Sequence, residues 1–466
     1  MSQRRPLLGS RQLNTPVAWC DGQAVSAVAL LARAAALAPQ LPAQGAALNL
    51  CQNRLHFSVG LLAAALRGHQ SLLPPNAMPA TLAQLAPPGQ GTYVLFDDPA
   101  LELSDHTAIN LAQALPCDAQ LSELDEAALC ISAPDSPTVC LLTSGSTGQP
   151  QAQYKAWDQL QLNIAAQTQR LAHMLQWPDL NGLNLVATVP PQHSYGFESS
   201  VLLALLGGAA FDVTRPFYPA DIADALARLP RPRGLVTTPF HLKTLLLSGV
   251  TLPTVDLVLS ATAPLTPQLA ARAEAAMGAC LIEIYGCTEA GQVAARRTTA
   301  GEVWTTLGDL RVTEHSTPEG PQFSVLGGHV QQKTVLADVL VLQDDQHFRL
   351  LGRTSDIIHV AGKRSSLAHL NFHLNRIEGV DDGAFWLDDD VAESVVRPIA
   401  FVVAPLLTAK KITTALREHL EPAFVPRRVV FVDALPREDT GKLKADIWRS
   451  FVLRTLARRD ARATPP

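Results

Sequence analysis

The sequence has no pair of cysteines at metal-ligand spacing. Its seven, Cys20, Cys51, Cys117, Cys130, Cys140, Cys280 and Cys287, are odd in number and mostly flanked by apolar residues. That speaks against a zinc-binding or disulfide framework, and the thiols read as buried and free in a reducing compartment. An excess of one charge is also missing: 37 Lys and Arg against 42 Asp and Glu leave a net −5 over 466 residues. Such a balance calls for neither nucleic acid nor an anionic membrane as partner. Nor does any apolar run approach a membrane span, since the most apolar segment, residues 201–211, is about half of one. The first residues, Met-Ser-Gln-Arg-Arg-Pro, carry twin arginines but lead into a polar stretch, not the apolar core of an export signal. The expectation is a cytoplasmic protein. No internal repeat is evident.

Leu and Ala dominate an ordinary apolar fraction, so helices are expected in number. The length, roughly three times that of a usual domain, predicts two domains or more. Residue spacing predicts helices over 24–38 and 58–67 with a strand at 46–50 between them. A strand at 139–142 runs into a Gly/Ser/Thr loop. Trp157, Leu160, Ile164, Leu171 and Leu175 then predict a helix over 154–177. Strands at 185–189, 255–259 and 281–284 alternate with two further helices. One is marked by Ile222, Leu226 and Leu229, the other by a Thr266-Pro267 start and Gly278 at its end. This alternation predicts parallel α/β sheets in two lobes. Past residue 301, short strands at 335–342 and 348–351 replace the long helices. Strands at 399–403 and 429–432 around a helix at 410–420 read as a small α+β domain, bounded near residues 353–356.

Four segments carry chemistry. In residues 142–150, Leu-Thr-Ser-Gly-Ser-Thr-Gly-Gln-Pro, Gly145 and Gly148 let backbone N–H groups approach an anion. Thr143, Ser144, Ser146 and Thr147 add hydroxyl donors. The loop suits phosphate but is no Walker loop, because no Gly-Lys-Ser/Thr follows. Residues 284–289, Ile-Tyr-Gly-Cys-Thr-Glu, end a strand. There Glu289 is a candidate Mg²⁺ ligand, Thr288 a phosphate contact and Tyr285, beside Gly286, a flat surface for a ring. Asp338 is followed fifteen positions later by Arg353. A carboxylate accepts from two ribose hydroxyls, and an arginine donates to ribose or phosphate. Residues 435–443, Leu-Pro-Arg-Glu-Asp-Thr-Gly-Lys-Leu, put Lys442 on a turn, where a point charge can meet a reacting phosphorus. Singly, each has a plainer reading: a polar turn, a strand end, a surface ion pair, a solvated lysine.

Together, in this order and spacing, the four resemble the adenylate-forming superfamily of acyl- and aryl-CoA synthetases, peptide-synthetase adenylation domains and luciferases. Residues 191–196 (Pro-Gln-His-Ser-Tyr-Gly) are similar to the family's gate segment, 237–239 to its acyl-pocket helix start and 260–265 to its adenine-side loop. The resemblance covers residue 138 to the C-terminus and is loose before it. It implies an α/β fold in two domains. Residues 1–353 would form a large N-terminal domain of parallel and mixed sheets, with flanking helices and a small β-barrel-like subdomain, binding ATP and the acid. Residues 354–466 would form a small mobile α+β domain with the catalytic lysine. ATP, Mg²⁺ and either coenzyme A or a carrier-borne 4′-phosphopantetheine are the implied cofactors. Lys442, Glu289 and Thr288 would be catalytic, with Glu289 on the metal. Thr143, Ser144, Gly145, Ser146, Thr147, Gly148, Ala261, Ala263, Tyr285, Gly286, Asp338 and Arg353 would hold the nucleotide. His193, Tyr195, Gly196, Phe197, Thr238, Phe240 and Ser260 would line the acid site. Gly362 and Lys363 would face the thiol acceptor, with Ser355 at the hinge.

The chain departs from the family pattern in three places. Gln151-Ala152 stands where the phosphate loop usually continues Lys-Gly, which leaves open whether Lys155 substitutes. Ser260-Ala261-Thr262-Ala263 lacks the usual glycine pair, and residues 365–371 replace a Pro-x-Glu-Ile-Glu segment. The compact length and this last change resemble bacterial ligases of aryl-polyene and xanthomonadin-type pigment pathways, which load an aromatic acid onto an acyl carrier protein. The resemblance therefore implies activation of an aromatic acid, such as 4-hydroxybenzoate, to acyl-AMP and transfer to a carrier protein, with coenzyme A as the alternative acceptor. A luciferase- or reductase-type relative and a non-catalytic ligand-binding member, the latter suggested by Gln151, stay open at this point.

Overall fold

Four short strands, Asn184–Ala187, Arg233–Thr237, Leu257–Ser260 and Cys280–Cys287, are buried almost throughout. They pair in parallel, as strands covered by helices on both faces do. They form the middle of an eleven-stranded sheet. At one end it continues antiparallel through Gly291–Arg296, Val303–Thr306, His347–Arg353 and Asp338–Leu342. The computed structural model describes residues 5–75, 78, 81–82, 91–101, 107–114, 129–131, 133–143, 151–318, 320–353, 357–360, 363–387, 398–438 and 443–463.

A six-stranded sheet carries Ala46–Asn49, Ser71–Leu73 and Pro137–Thr143 in parallel, with Gln151–Ala156 added antiparallel at its edge. Phe57, Trp157, Phe197 and Phe211 belong to one apolar core that serves both large sheets. Arg54, fully buried, fastens them further: it donates to the Ala187 and Val189 carbonyls at 2.9 and 2.5 Å and to Ser200 Oγ at 3.3 Å. The barrel-like part consists of the antiparallel end of the large sheet and a three-stranded sheet of Arg311–Thr317, Gly320–Gly327 and Val330–Leu336. Val312, Phe323 and Leu336 of the smaller sheet share a core with Leu340 and Phe348. Toward the C-terminus, Asp382–Trp386, Ile399–Val403 and Arg428–Phe431 form a further sheet with its own apolar clusters. No described helix is long and apolar enough to cross a membrane.

The predicted elements recur with shifted ends. The first long helix is Ala27–Leu37, and Ser26 Oγ caps it by accepting from the Ala29 N–H at 3.1 Å. Residues 23–26 are strand instead. The next helix starts earlier than expected, at Arg54, because Asn53 caps it. Residues 154–156 are not helical: they complete the strand Gln151–Ala156, whose pairing to Pro137–Thr143 overrides the helical periodicity. Residues 335–342 divide between two strands in different sheets. The expected domain boundary at 354–356 lies outside the described residues.

Candidate active site

Parallel strands leave one edge of a sheet together, and ligands collect at their carboxyl ends. Here Thr237 pairs with Ser260, and Ser260 with Glu283. Thr238, the 261–263 loop and the Tyr285–Glu289 segment therefore leave the sheet side by side. Tyr285 donates its hydroxyl to Asp338 Oδ2 at 2.8 Å. Its ring packs against Trp304 and Phe348, with centroids 5.8 and 5.7 Å away. Asp338 and Arg353 are partners across an antiparallel pair, so the fifteen-residue spacing in the sequence is the two legs of a hairpin. Gly286 pairs with Gln292, and Thr288 and Glu289 form the turn into Gly291–Arg296.

Thr143 and Gln151 face each other at one end of a second hairpin, on either side of the Gly/Ser/Thr segment in the chain. A strand thus separates that loop from the helix expected to follow it. Ser144, Gly145, Ser146, Thr147, Gly148, Ser355, Gly362 and Lys442 lie outside the described residues. Thr143, Arg353 and Lys363 are placed by their backbones, in strands. Lys155, on the second leg of the hairpin, donates from Nζ to the Glu289 carbonyl. This contact brings the candidate phosphate hairpin against the Thr288–Glu289 turn.

The set fits a magnesium nucleotide. Ser260 Oγ is buried with no hydrogen-bond partner, beside a loop in which Ala261 is buried and Thr262 adopts φ +79°. Ala263 continues that loop. Glu289 is an exposed carboxylate. Among the described residues no three His, Cys, Asp or Glu gather to hold a metal. Mg²⁺ does not need such a cage, since it takes most of its ligands from phosphate and water.

On the acid side, Thr238 caps the helix Pro239–Leu247, and its Oγ1 accepts from the His241 N–H at 3.3 Å. Thr188 Oγ1 lies 3.0 Å from Thr237 Oγ1 and 3.2 Å from His241 Nδ1. Phe217 and Phe240 meet the His241 ring edge-on at 5.6 and 5.7 Å. Burial pushes the Tyr195 phenol well above its usual pKa, and the Thr237 backbone beside it counteracts this in part. His193 Nε2 lies 3.2 Å from the Pro75 carbonyl, and Gly196 is buried in the short helix that follows. A cleft of about 600 Å³ opens beside them, lined by Gln52, Asn53, Pro75, Gln192 and Arg215 among others. Phe197 is not a pocket residue. It is fully buried and packs edge-on against Phe57 at 6.1 Å, so it belongs to the core. Sequence reading missed His241, Thr188 and Phe217. Only His241 had a local signal, because a helix capped at Thr238 turns position 241 inward.

A family model described as AMP-binding enzyme matches residues 17–316, and one described as AMP-binding enzyme C-terminal domain matches residues 386–442. The chain belongs to the AMP-binding enzyme family. With it, the chain takes its place among the AMP-forming acid–thiol ligases of the adenylate-forming superfamily. It is similar to a 4-coumarate–CoA ligase of Halorhodospira halophila, 27% identical over 313 residues covering 65% of this chain and 74% of the relative. A 4-coumarate–CoA ligase of Cereibacter sphaeroides is 28% identical over 302 residues, covering 65% and 69%. The fold matches that of ATP-bound MatB from Rhodopseudomonas palustris with a TM-score of 0.76 at 19% identity, over 94% of this chain and 96% of that one. It also matches o-succinylbenzoate CoA synthetase (MenE) from Bacillus subtilis with its acyl-adenylate intermediate, with a TM-score of 0.76 at 17% identity, over 97% and 98%. At these identities the two structures show the shared α/β fold, a large N-terminal domain of mixed sheets and a small C-terminal one.

Proposed function

We propose that this ligase activates an aromatic carboxylic acid, such as a hydroxybenzoate, as its acyl-AMP and passes the acyl group to the phosphopantetheine thiol of an acyl carrier protein. The Tyr285–Asp338 hydrogen bond carries the reading, because it joins two motifs 53 positions apart and places Arg353 opposite. The acid carboxylate attacks the α-phosphorus of ATP and pyrophosphate leaves. Such a displacement needs alignment and stabilisation of charge more than covalent help from the protein. Asp338 and Arg353 orient the ribose, and Tyr285 holds Asp338 and offers its ring to the nucleotide. Thr288 meets a phosphate oxygen and Glu289 would hold the metal. Mg²⁺, when bound there, supplies positive charge to the phosphate oxygens. Lys442 adds its charge from the C-terminal domain. That domain then turns about Ser355 and brings Gly362 and Lys363 toward the thiol, which attacks the acyl carbonyl and releases AMP.

The aromatic substrate is supported by the His241, Phe217 and Phe240 rings beside Thr238 and by two relatives named for 4-coumarate. The carrier acceptor is supported by the altered segment at 365–371. Free coenzyme A is the second reading. It is favoured by the relatives' names and by Arg215 at the cleft beside His193, a cation suited to a phosphate. ATP–pyrophosphate exchange across a panel of carboxylic acids tests activation, and mass spectrometry of holo-carrier and coenzyme A products tests the acceptor. Exchange with aromatic acids and an acylated carrier are expected. Acyl-CoA beside an unmodified carrier selects the second reading, and no exchange with any acid leaves a ligand-binding member.

A further inference from the structure

We infer that Lys155 is a positioning residue for the Thr288–Glu289 turn, tying it to the second leg of the phosphate hairpin. The inference rests on the adenylation reading for its catalytic consequence. Its geometry does not. Gln151 stands opposite Thr143 at one end of the hairpin. Lys155 lies four residues further along the strand, about 13 Å away at the usual rise. It therefore cannot put its ammonium where a lysine at position 151 would put one. Side chains alternate across the strand: Tyr154 is 56% exposed, while Lys155 turns inward and donates to the Glu289 carbonyl.

The turn beyond that contact is seated on polar groups from three other elements. Gly291 has φ +79°, and a Cβ there would lie 3.0 Å from Asn163 Nδ2 and 3.6 Å from both Glu198 Oε1 and His329 Nε2. Asn163 comes from the helix Trp157–Leu175, and Glu198 from the widened π-helical turn Phe197–Leu202. His329 comes from the bend before Val330–Leu336. Glu198 is buried, which raises its pKa, and the positive charge that opposes this is Lys155. His329 does not supply one, since burial and Lys155 lower its pKa to about 4. Burial likewise lowers the pKa of Lys155, while Glu198, Cys287 and Glu289 act to keep it protonated. A half-buried amine is costly unless it is paired. Here it holds the backbone of the residue that would carry the metal.

Two measurements on Lys155→Met and Lys155→Arg test the inference. The first is hydrogen–deuterium exchange of the 288–291 amides, which needs no substrate. Lys155→Met should exchange there at least severalfold faster than the parent protein, and Lys155→Arg close to it. The second is ATP–pyrophosphate exchange as a function of Mg²⁺. Lys155→Met should lose on the order of 10- to 100-fold in rate, the range for a displaced catalytic group, and need more Mg²⁺ for half-maximal rate at an unchanged KM for the acid. Lys155→Arg should recover most of the rate. Unchanged amide exchange at 288–291 in Lys155→Met overturns the inference, whatever the activity. Faster amide exchange in a protein that activates no acid leaves the tie standing and removes the adenylation reading instead.

Discussion

Thr262 occupies φ +79°, a region that costs a β-branched side chain on the order of 1–3 kcal/mol. The strain sits in the 261–263 loop, which holds no glycine. Thr262→Gly is expected to stabilise the protein by about 1 kcal/mol after glycine's own entropic cost. Denaturant melting of the full chain checks this, and a lower midpoint would show that the surroundings absorb the strain. Lys442 belongs to a different test. Lys442→Ala is expected to slow acyl-AMP formation by about 10²- to 10³-fold, the effect of losing one preorganised donor. It should spare thiol transfer from supplied acyl-AMP. Rapid-quench measurement of both half-reactions decides, and equal losses refute the division of labour. The sequence singled out Tyr285 and Asp338 in separate segments, and the fold joins them by one hydrogen bond. It left the place of Lys155 open and gave no signal at Glu198 or His329, because nothing in these separate segments announces that they meet at one turn.

Elements were legible where their ends are set locally. Thr266 Oγ1 accepts from the Leu269 N–H at 3.3 Å, Pro267 follows and Gly278 closes the helix at φ +65°, as the sequence predicts. Thr266→Ala is therefore expected to cost about 1 kcal/mol. Thermal melting checks it, and an unchanged midpoint would mean the cap is dispensable. The strand Gln151–Ala156 was not legible. Its polar residues gain their order from an edge pairing with Pro137–Thr143, and sequence periodicity carries no record of a partner strand. Phe197 failed for a similar reason. It adjoins the gate segment in the chain, but the widened helical turn directs it to Phe57.

At the scale of the whole molecule, acid is the expected weakness. Burial, first of all, lowers the pKa of His329 and of His373 to about 4, against an ordinary 6.5. Between those values the unfolded chain binds protons that the folded protein does not, so stability falls as pH drops from 6.5 to 4. For His329, which is nearly enclosed, the loss amounts to roughly 3 kcal/mol. Melting temperature against pH should show this slope, and His329→Gln should flatten it while lowering the plateau at neutral pH; an equally steep slope in the variant would acquit His329. His373 stacks on His419 at 5.3 Å and meets His369 at 4.6 Å. Lys243 donates to the Val380 carbonyl at 3.0 Å, joining the N-terminal part to the C-terminal one. The bond from Ser194 Oγ to Glu198 Oε1, 3.0 Å long, has a practical consequence for anyone retuning substrate range. Libraries randomised at 193–197 will also disturb the floor beneath residues 288–291, so variants with a new acid preference should emerge with altered magnesium demand. Diversity placed at 240 and 241, in the helix Pro239–Leu247, leaves the Ser194–Glu198 bond in place.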